Sequence, residues 1–350
     1  MFELLSDGSQ FSERESKFLG KKIALTGASG FIGHRLAQAL AKIEGSQIRA
    51  LVRPGSVTKL KELASRLDVI EGGLEDADAL ARLVEGAEFV FHLAGATRAR
   101  NRAEFQSLNA DGTGAVAKAV AAASAKTCRL VYVSSLAAAG PTAEGAEPRD
   151  EDCEPAPVSH YGRSKLEGEE QLKSAMGAHS WSIARPPAVY GPGERDFFEM
   201  FRMVRRRFAP RLGFQSKELS MVYADDLVQA LLVLASSKKA AGRTYFVAHP
   251  EQKSDLELME YMEDAMGRWA WKPRIPFFAA RIPAAFSALG QAIGKRPALL
   301  NPDRLRELAP TRWVCNSDRL DRELGFRCTT PLEIGIPLTA AWYSKSGWWK

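Results

Sequence analysis

A phenol and an ammonium stand four residues apart in YGRSK (161–165), just after a loop at 140–157 rich in Gly, Pro and Glu. Tyr161 is a weak acid, and a cation such as Lys165 one helical turn away favours its ionised form. On one helix face the two can exchange a proton with a substrate oxygen. The chain holds seven tyrosines, so one Tyr-x-x-x-Lys is close to a chance event and its spacing alone decides nothing. A second stretch, TGASGFIG, sets Gly27, Gly30 and Gly33 between an apolar run and a helical one, with Ser29, Phe31 and Ile32 in the same turn. Glycine permits a tight turn and a close approach of backbone to pyrophosphate, and the N–H groups that open the helix then face the anion. The order is G-x-x-G-x-x-G, not the G-x-G-x-x-G of the older dinucleotide fingerprint. Together the two stretches make a candidate acid/base pair and a candidate dinucleotide phosphate site, which the rest of the chain must join.

The elements that must position these residues show as an alternation. KKIALTG, IRALVR, LDVIEG, AEFVFHLAG, RLVYVSS and SWSIARP read as strands. Between them lie FIGHRLAQALAKI, DADALARLVEG, an alanine-rich stretch at about 103–124 and the YGRSK segment, all with helical character. This pattern predicts an α/β fold: a Rossmann-like, doubly wound parallel sheet covered by helices on both faces. Beyond about residue 191 the alternation loosens. A smaller, mostly helical C-terminal substrate lobe is expected there, with one strand at RTYFVA. The boundaries expected are an extension over 1–20, a cofactor domain over 21–190 and the lobe over 191–350.

The end of the second strand bears on the cofactor. An acid about 20 residues after the glycines would hold a ribose 2′-hydroxyl, as in NAD sites. Arg53 occupies that region, and a guanidinium suits a 2′-phosphate, so NADP is favoured over NAD.

As a set, TGASGFIG, FHLAG, LNADGT, YVSSLAAAG, YGRSK, RPPAVYGPG, MVYADDL and NSDRLDRELGF resemble the extended short-chain dehydrogenase/reductase family, also called the NAD-dependent epimerase/dehydratase family. The resemblance covers about residues 20 to 344. It implies that Tyr161 exchanges the proton, that Lys165 tunes it and bonds the nicotinamide ribose, and that Ser135 polarises the substrate oxygen. Asn109 would steady the lysine, and Ser134 would lie nearer the nicotinamide. Leu93, Ala94 and Gly95 would pack on the adenosine and its ribose, and Pro186 and Val189 beside the nicotinamide. His92, at a strand end, reads as structural. Where the family often has G-D-L this chain has GGL, with Gly73 at the place of the acid and Leu74 among the cofactor-binding positions. The resemblance also implies a homodimer built on the tyrosine-bearing helix.

Two departures bear on the substrate. Nucleotide-sugar relatives generally carry an asparagine where this chain has Ala188, and an arginine where it has Leu219. A diphosphate would there lack charge-assisted partners, although Lys217 and the nearby arginine cluster could compensate. The pattern is closer to the 3β-hydroxysteroid dehydrogenase and dihydroflavonol reductase branch. That implies an oxidoreductase for a ketone/secondary alcohol pair on a hydrophobic small molecule. Phe197, Phe198, Phe201, Phe277, Phe278 and Phe286 could line its pocket, core packing being the ordinary alternative for each. A sugar-nucleotide epimerase or dehydratase with tightly bound NAD is the first alternative, and a non-catalytic dinucleotide-binding scaffold the second.

Composition narrows the remaining classes. The 350 residues are 45% hydrophobic and 26% charged, in the range of ordinary globular proteins. The net charge is +6, but no nucleic-acid motif or basic–aromatic stripe accompanies it, so nucleic acid is not expected as a partner. Cys128, Cys153, Cys315 and Cys328 are scattered without a C-x-x-C pair, which reads as reduced thiols in a cytoplasmic protein. No metal is expected. The first 20 residues are too polar for a signal peptide. Two segments leave peripheral membrane contact open: MFRMVRRRFAPR (200–211) and IPFFAARIPAAFSALGQAIG (275–294), the latter broken by Arg281 and Pro283.

Overall fold

The structure is a computed structural model and describes residues 14–123, 128–279 and 302–349. Phe286, Arg281, Pro283 and most of the 275–294 segment lie outside the described residues, as do residues 1–13.

The first strand, β1 (Lys22–Thr26), is buried almost throughout. Ile23 and Leu25 join one core cluster, while Ala24 joins the cluster on the other face. A strand covered on both faces reads as a continuous apolar run, and this is why KIALT carries no polar alternation. It pairs in parallel with β2 (Gln47–Val52) on one side and β4 (Phe89–His92) on the other. With β3 (Asp68–Glu71), β5 (Arg129–Val133), β6 (Ser180–Arg185) and β10 (Arg243–Phe246) these form a seven-stranded parallel sheet of order β10-β6-β5-β4-β1-β2-β3. Neighbouring strands are connected through α1 (Phe31–Leu40), α3 (Gly112–Ala123) and α4 (His160–Met176), while α2 (Ala77–Val84) carries the chain from the β3 edge back to β4.

Three features differ from the sequence reading. RTYF is a strand, but as β10 it forms the edge of the main sheet beside β6 and not part of the lobe. The preceding helix, α6 (Ala224–Ser236), buries Leu227, Leu231 and Leu234 in the core cluster of that sheet and so returns the chain to it. The lobe itself contains more sheet than expected: β9 (Glu218–Tyr223) pairs with β7 (Ala188–Tyr190), β11 (Gln252–Ser254) and β13 (Arg312–Trp313), and β8 (Arg211–Leu212) pairs with β12 (Arg274–Ile275). The leading extension also ends earlier than residue 20, because Phe18 is fully buried with its ring 4.7 Å from that of Phe89.

A separate core holds the lobe together. α5 (Arg195–Arg205), α7 (Asp255–Met266) and the C-terminal helix Leu332–Lys345 enclose Phe197, Phe201, Leu258, Met262, Ile336 and Tyr343. Phe197 and Phe201 are therefore packing residues, and Phe198 sits among Tyr343, Trp348 and Trp349. The pocket-lining expectation is not met for Phe197 and Phe201, because the hydrophobic face of a short amphipathic helix is consumed by the core it covers, whereas Phe198 lines a cavity beside Trp348 and Trp349.

Candidate active site

Almost every strand-end residue singled out above falls at the carboxyl edge of the main sheet, where open α/β sheets bind ligands. Gly27 follows β1, Arg53 follows β2, Leu93 to Gly95 follow β4, Ser134 and Ser135 follow β5, and Pro186 follows β6. The Pro186 carbonyl accepts the Leu136 N–H at 2.8 Å, which draws the sixth strand end to the Ser135 turn. Val189 lies in β7 beside the first core cluster. Leu74 is used differently: it packs over Gly112, where an added Cβ would come within 2.6 Å of it.

The glycine turn is tight because two of its members are enforced by the protein. Gly27 has φ +81°, and a Cβ there would lie 2.7 Å from the Ala94 nitrogen. A Cβ on Gly33 would meet the Gly27 carbonyl oxygen at 2.1 Å. Gly30 differs, since its nearest such neighbour is 3.2 Å away and the residue is exposed. It opens α1 without a side-chain cap, and the first turn carries no acid, leaving the N–H groups and the positive end of the dipole open to an anion. The cradle therefore fits a pyrophosphate, with Ser29, Gly30, Phe31 and Ile32 around it.

Across the sheet, α4 brings the chemical groups together. Lys165 is buried and donates to the Val133 carbonyl at 2.7 Å, with its Nζ 4.5 Å from the centre of the Tyr132 ring. Burial pushes its pKa down to about 7, and the Glu169 carboxylate one turn further on opposes the shift. The Tyr161 ring stays partly open, but its hydroxyl is deep enough that burial pushes it up to about 12; the Ser135 hydroxyl acts against that as a hydrogen-bond partner. Ser135 Oγ also caps the turn at 136–139 through the Ala137 N–H. Ser135 and Tyr161 thus come together, with Lys165 one helical turn further along α4.

Asn109 sits in a π-helical stretch, Gln106–Asp111, that interrupts the expected helix at 103–124 between Arg102–Phe105 and α3. Ser124, at the end of that expected helix, lies outside the described residues. In this wider turn the buried Asn109 side chain accepts from the Ala96 N–H at 2.7 Å and donates to the Ala96 carbonyl at 3.0 Å and to Ser164 Oγ at 2.9 Å. It links the loop after β4 to the helix bearing Tyr161, in keeping with the habit of π-turns to occur at functional sites. Packing there is close. A Cβ on Gly168 would lie 2.8 Å from the Asn109 carbonyl oxygen and 2.9 Å from the Tyr132 hydroxyl. Gly168→Val is expected to lose about 1–3 kcal/mol of stability and to lower turnover with it; unchanged urea unfolding would show that α4 can back away at no cost.

His92 is structural, as expected. Ala94 N–H donates to Thr26 Oγ, which leaves the Thr26 hydroxyl proton for His92 Nδ1 at 2.7 Å. Thr113 donates to the Asn109 carbonyl and accepts from His92 Nε2 at 3.0 Å. Both ring nitrogens are occupied in the neutral form, and burial pushes the imidazole down to about 3.

Ser134 is not directed at the cofactor side. Its hydroxyl donates to Glu169 Oε1 at 2.5 Å, and Glu169 also accepts from Arg185 Nε and Nη2 at 2.9 and 2.7 Å. This buried Ser134–Glu169–Arg185 group was not foreseen. The spacing of Glu169, four residues beyond Lys165 and eight beyond Tyr161, is the signal that would have exposed it. A second group had no local signal. Helix α8 (Pro302–Leu308) comes from the lobe to the start of α4, where Asp303 accepts the N–H groups of His160 and Tyr161 at 2.7 and 3.3 Å. Glu307 accepts from the capping Ser159 at 2.8 Å and from Arg304 at 2.7 Å. Glu307 and Arg304 both act electrostatically on Tyr161, in opposite directions. Arg98, in the loop after β4, is ion-paired with Asp196 at the start of α5, so the lobe contributes charge to the site as well as cover.

The strand order, with a glycine turn opening its first crossover helix, defines the dinucleotide-binding class of α/β protein. The sequence profile of the NAD dependent epimerase/dehydratase family matches residues 23–248, and the chain belongs to that family. It is 29% identical to ceramide reductase of Caulobacter vibrioides, over 93% of this chain and 95% of that one. It is 28% identical to 3beta-hydroxysteroid-dehydrogenase/decarboxylase isoform 2 of Arabidopsis thaliana, over 90% of this chain and 60% of that longer protein. Among solved structures, UDP-glucuronic acid 4-epimerase of Bacillus cereus, crystallised with UDP-glucuronic acid and NAD, superposes with a TM-score of 0.74 at 22% identity over 93% of this chain and 99% of that one, a likeness of fold. The family works with NAD(H), and no helix among the described residues is long and apolar enough to cross a membrane.

Proposed function

We propose that the chain is an NADP(H)-preferring oxidoreductase that interconverts a ketone and a secondary alcohol on a hydrophobic small molecule. The observation that carries this reading is the use of the cations nearest the substrate side. At the places where a nucleotide diphosphate would be gripped stand Ala188 and Leu219, and Lys217, the nearest compensating cation, donates to the Leu308 carbonyl at the end of α8. Arg202, Arg205 and Arg206 line a different cavity, beside Trp348 and Trp349. The similarity to a protein named ceramide reductase, along nearly the whole of both chains, points to the same kind of substrate.

The bound dinucleotide would supply or accept the hydride. In reduction, Tyr161 gives its proton to the carbonyl oxygen as the adjacent carbon gains hydride. Ser135 holds that oxygen by a hydrogen bond, and Lys165 stabilises the phenolate left behind. Asn109 keeps the loop after β4 and α4 in register. Arg53 is exposed, and its guanidinium makes no ion pair among the described residues, so it is available to a 2′-phosphate.

The test is NADPH and NADH oxidation by purified protein over sterol, terpenoid, long-chain keto-amide and UDP-sugar substrates. NADPH should bind at least about tenfold more tightly than NADH, and Arg53→Glu should remove that preference at a cost of about 1.5–3 kcal/mol of NADPH affinity. An NADH preference would remove the role given to Arg53. Tightly held NAD with redox-neutral turnover of a UDP-sugar would replace the ketone reading with the epimerase one.

A further inference from the structure

Five of the seven exposed large apolar side chains among the described residues occur in two short segments: Phe208 and Phe214 in one, Trp269, Trp271 and Phe278 in the other, each 46–71% exposed. Those segments are neighbours. Trp271 N–H donates to the Arg207 carbonyl, Ala209 N–H to that of Trp271, Arg211 N–H to that of Pro273 and Gly213 N–H to that of Ile275. The Phe208 and Trp271 rings lie 5.7 Å apart. The aromatics therefore share one ribbon that projects from the lobe, and no core requires them there.

The charge on the same ribbon is of a single sign. Residues 205–214 and 268–279 contain seven basic side chains and no acidic one. Arg211 and Lys272 are paired to Asp255 and Glu263, while Arg205, Arg206, Arg207, Arg268 and Arg274 form no ion pair among the described residues. Next to the ribbon a cavity of about 560 Å³ is lined by Arg202, Arg205, Arg206, Arg268, Trp348 and Trp349.

We propose that this ribbon docks on the surface of an anionic lipid bilayer, with its aromatics at the headgroup level and its arginines against lipid phosphates. Indole and phenyl rings favour the interface between headgroups and acyl chains, and arginines beside them are drawn to the negative surface potential. A second copy of the chain fits less well. A twofold contact through this face would set five arginines against five, with no acid in the ribbon to receive them. The ribbon also reaches the active site, because Leu212 and Phe277 pack on Leu305 of α8, the helix that caps Tyr161. A bilayer held there would lie beside the mouth of the site. Docking itself does not depend on the reaction catalysed.

The test is co-sedimentation of the full-length chain, without substrate, with vesicles of phosphatidylcholine alone or of equal parts phosphatidylcholine and phosphatidylglycerol. The protein should pellet with the anionic vesicles and not with the neutral ones, and should release as salt rises. Trp269→Ser with Trp271→Ser should abolish pelleting while circular dichroism and thermal unfolding stay unchanged. Arg206→Ala with Arg274→Ala should weaken partitioning roughly thirtyfold. Failure of the wild type to pellet at low salt would overturn the proposal, as would equal pelleting of both variants. So would a change from dimer to monomer in the tryptophan variant, seen by light scattering, with vesicle binding intact.

Discussion

Tyr161→Phe is expected to lower turnover of the ketone/alcohol pair by about two to four orders of magnitude, the usual weight of a positioned proton donor, with little change in dinucleotide binding. The variant keeps the ring, its 5.9 Å approach to Phe105 and the cap on α4, and loses only the group that gives the proton. The pH dependence gives a second readout. Burial holds Tyr161 up at about 12, so at neutral pH the dinucleotide-free protein presents it as the neutral acid that reduction needs. Lys165 titrates near 7 and is charged below that value and neutral above it. Reduction should therefore fall as pH rises through about 7, because the cation that stabilises the departing phenolate is lost while Tyr161 is still protonated. Oxidation, which starts from the phenolate, should instead rise with pH once dinucleotide is bound. Wild-type turnover in Tyr161→Phe would end the assignment. A reduction profile flat between pH 6 and 9, about one to two units either side of the Lys165 pKa, would remove the tuning role of that residue.

Glu169→Ala should cost about 3–5 kcal/mol of unfolding free energy, because it leaves Arg185 buried without its carboxylate. Both members of the pair are almost wholly inaccessible, at 5% and 0% side-chain exposure, and Ser134 would lose its acceptor as well. Replacing both charges, Glu169→Met with Arg185→Met, should recover most of the loss, since the large penalty comes from the unpaired charge. The acid also acts on the chemistry, because Glu169 is what holds the Lys165 pKa from falling further. In any folded Glu169 variant the pH limb of reduction should move to lower pH, which a purely structural role would not produce. A loss below about 1 kcal/mol in urea unfolding would mean that water reaches Arg185 and the pair is not a buried one.

The parallel sheet, its order of elements and the chemistry at the strand ends were legible because they are written locally. Periodicity distinguishes buried strands from helices, the glycine spacing marks a turn with little steric freedom, and Tyr161 and Lys165 share a face through helical geometry alone. His92 could also be placed as structural from its position at a strand end. The reading went wrong where tertiary contact overrides local pattern. The stretch at 103–124 has helical composition throughout, but a π-turn interrupts it where Asn109 bonds Ala96 and Ser164. RTYF was assigned to the lobe by its place in the chain, while α6 carries it back to the edge of the main sheet. Phe197 and Phe201 looked available for a substrate and are consumed by the lobe core.

The sequence by itself therefore determined the class of fold, the glycine turn that opens α1 and the placing of Tyr161 and Lys165 on one helix, since each depends on residues a few positions apart. Only the tertiary structure decided what surrounds that pair. Ser134 turns to Glu169 and Arg185, Asp303 and Glu307 hold the start of the Tyr161 helix from about 140 residues away, and Lys217 is committed to the end of α8. These partners are set by burial and by the need to satisfy charges and N–H groups removed from water, a requirement that exists only once the two parts of the chain have met.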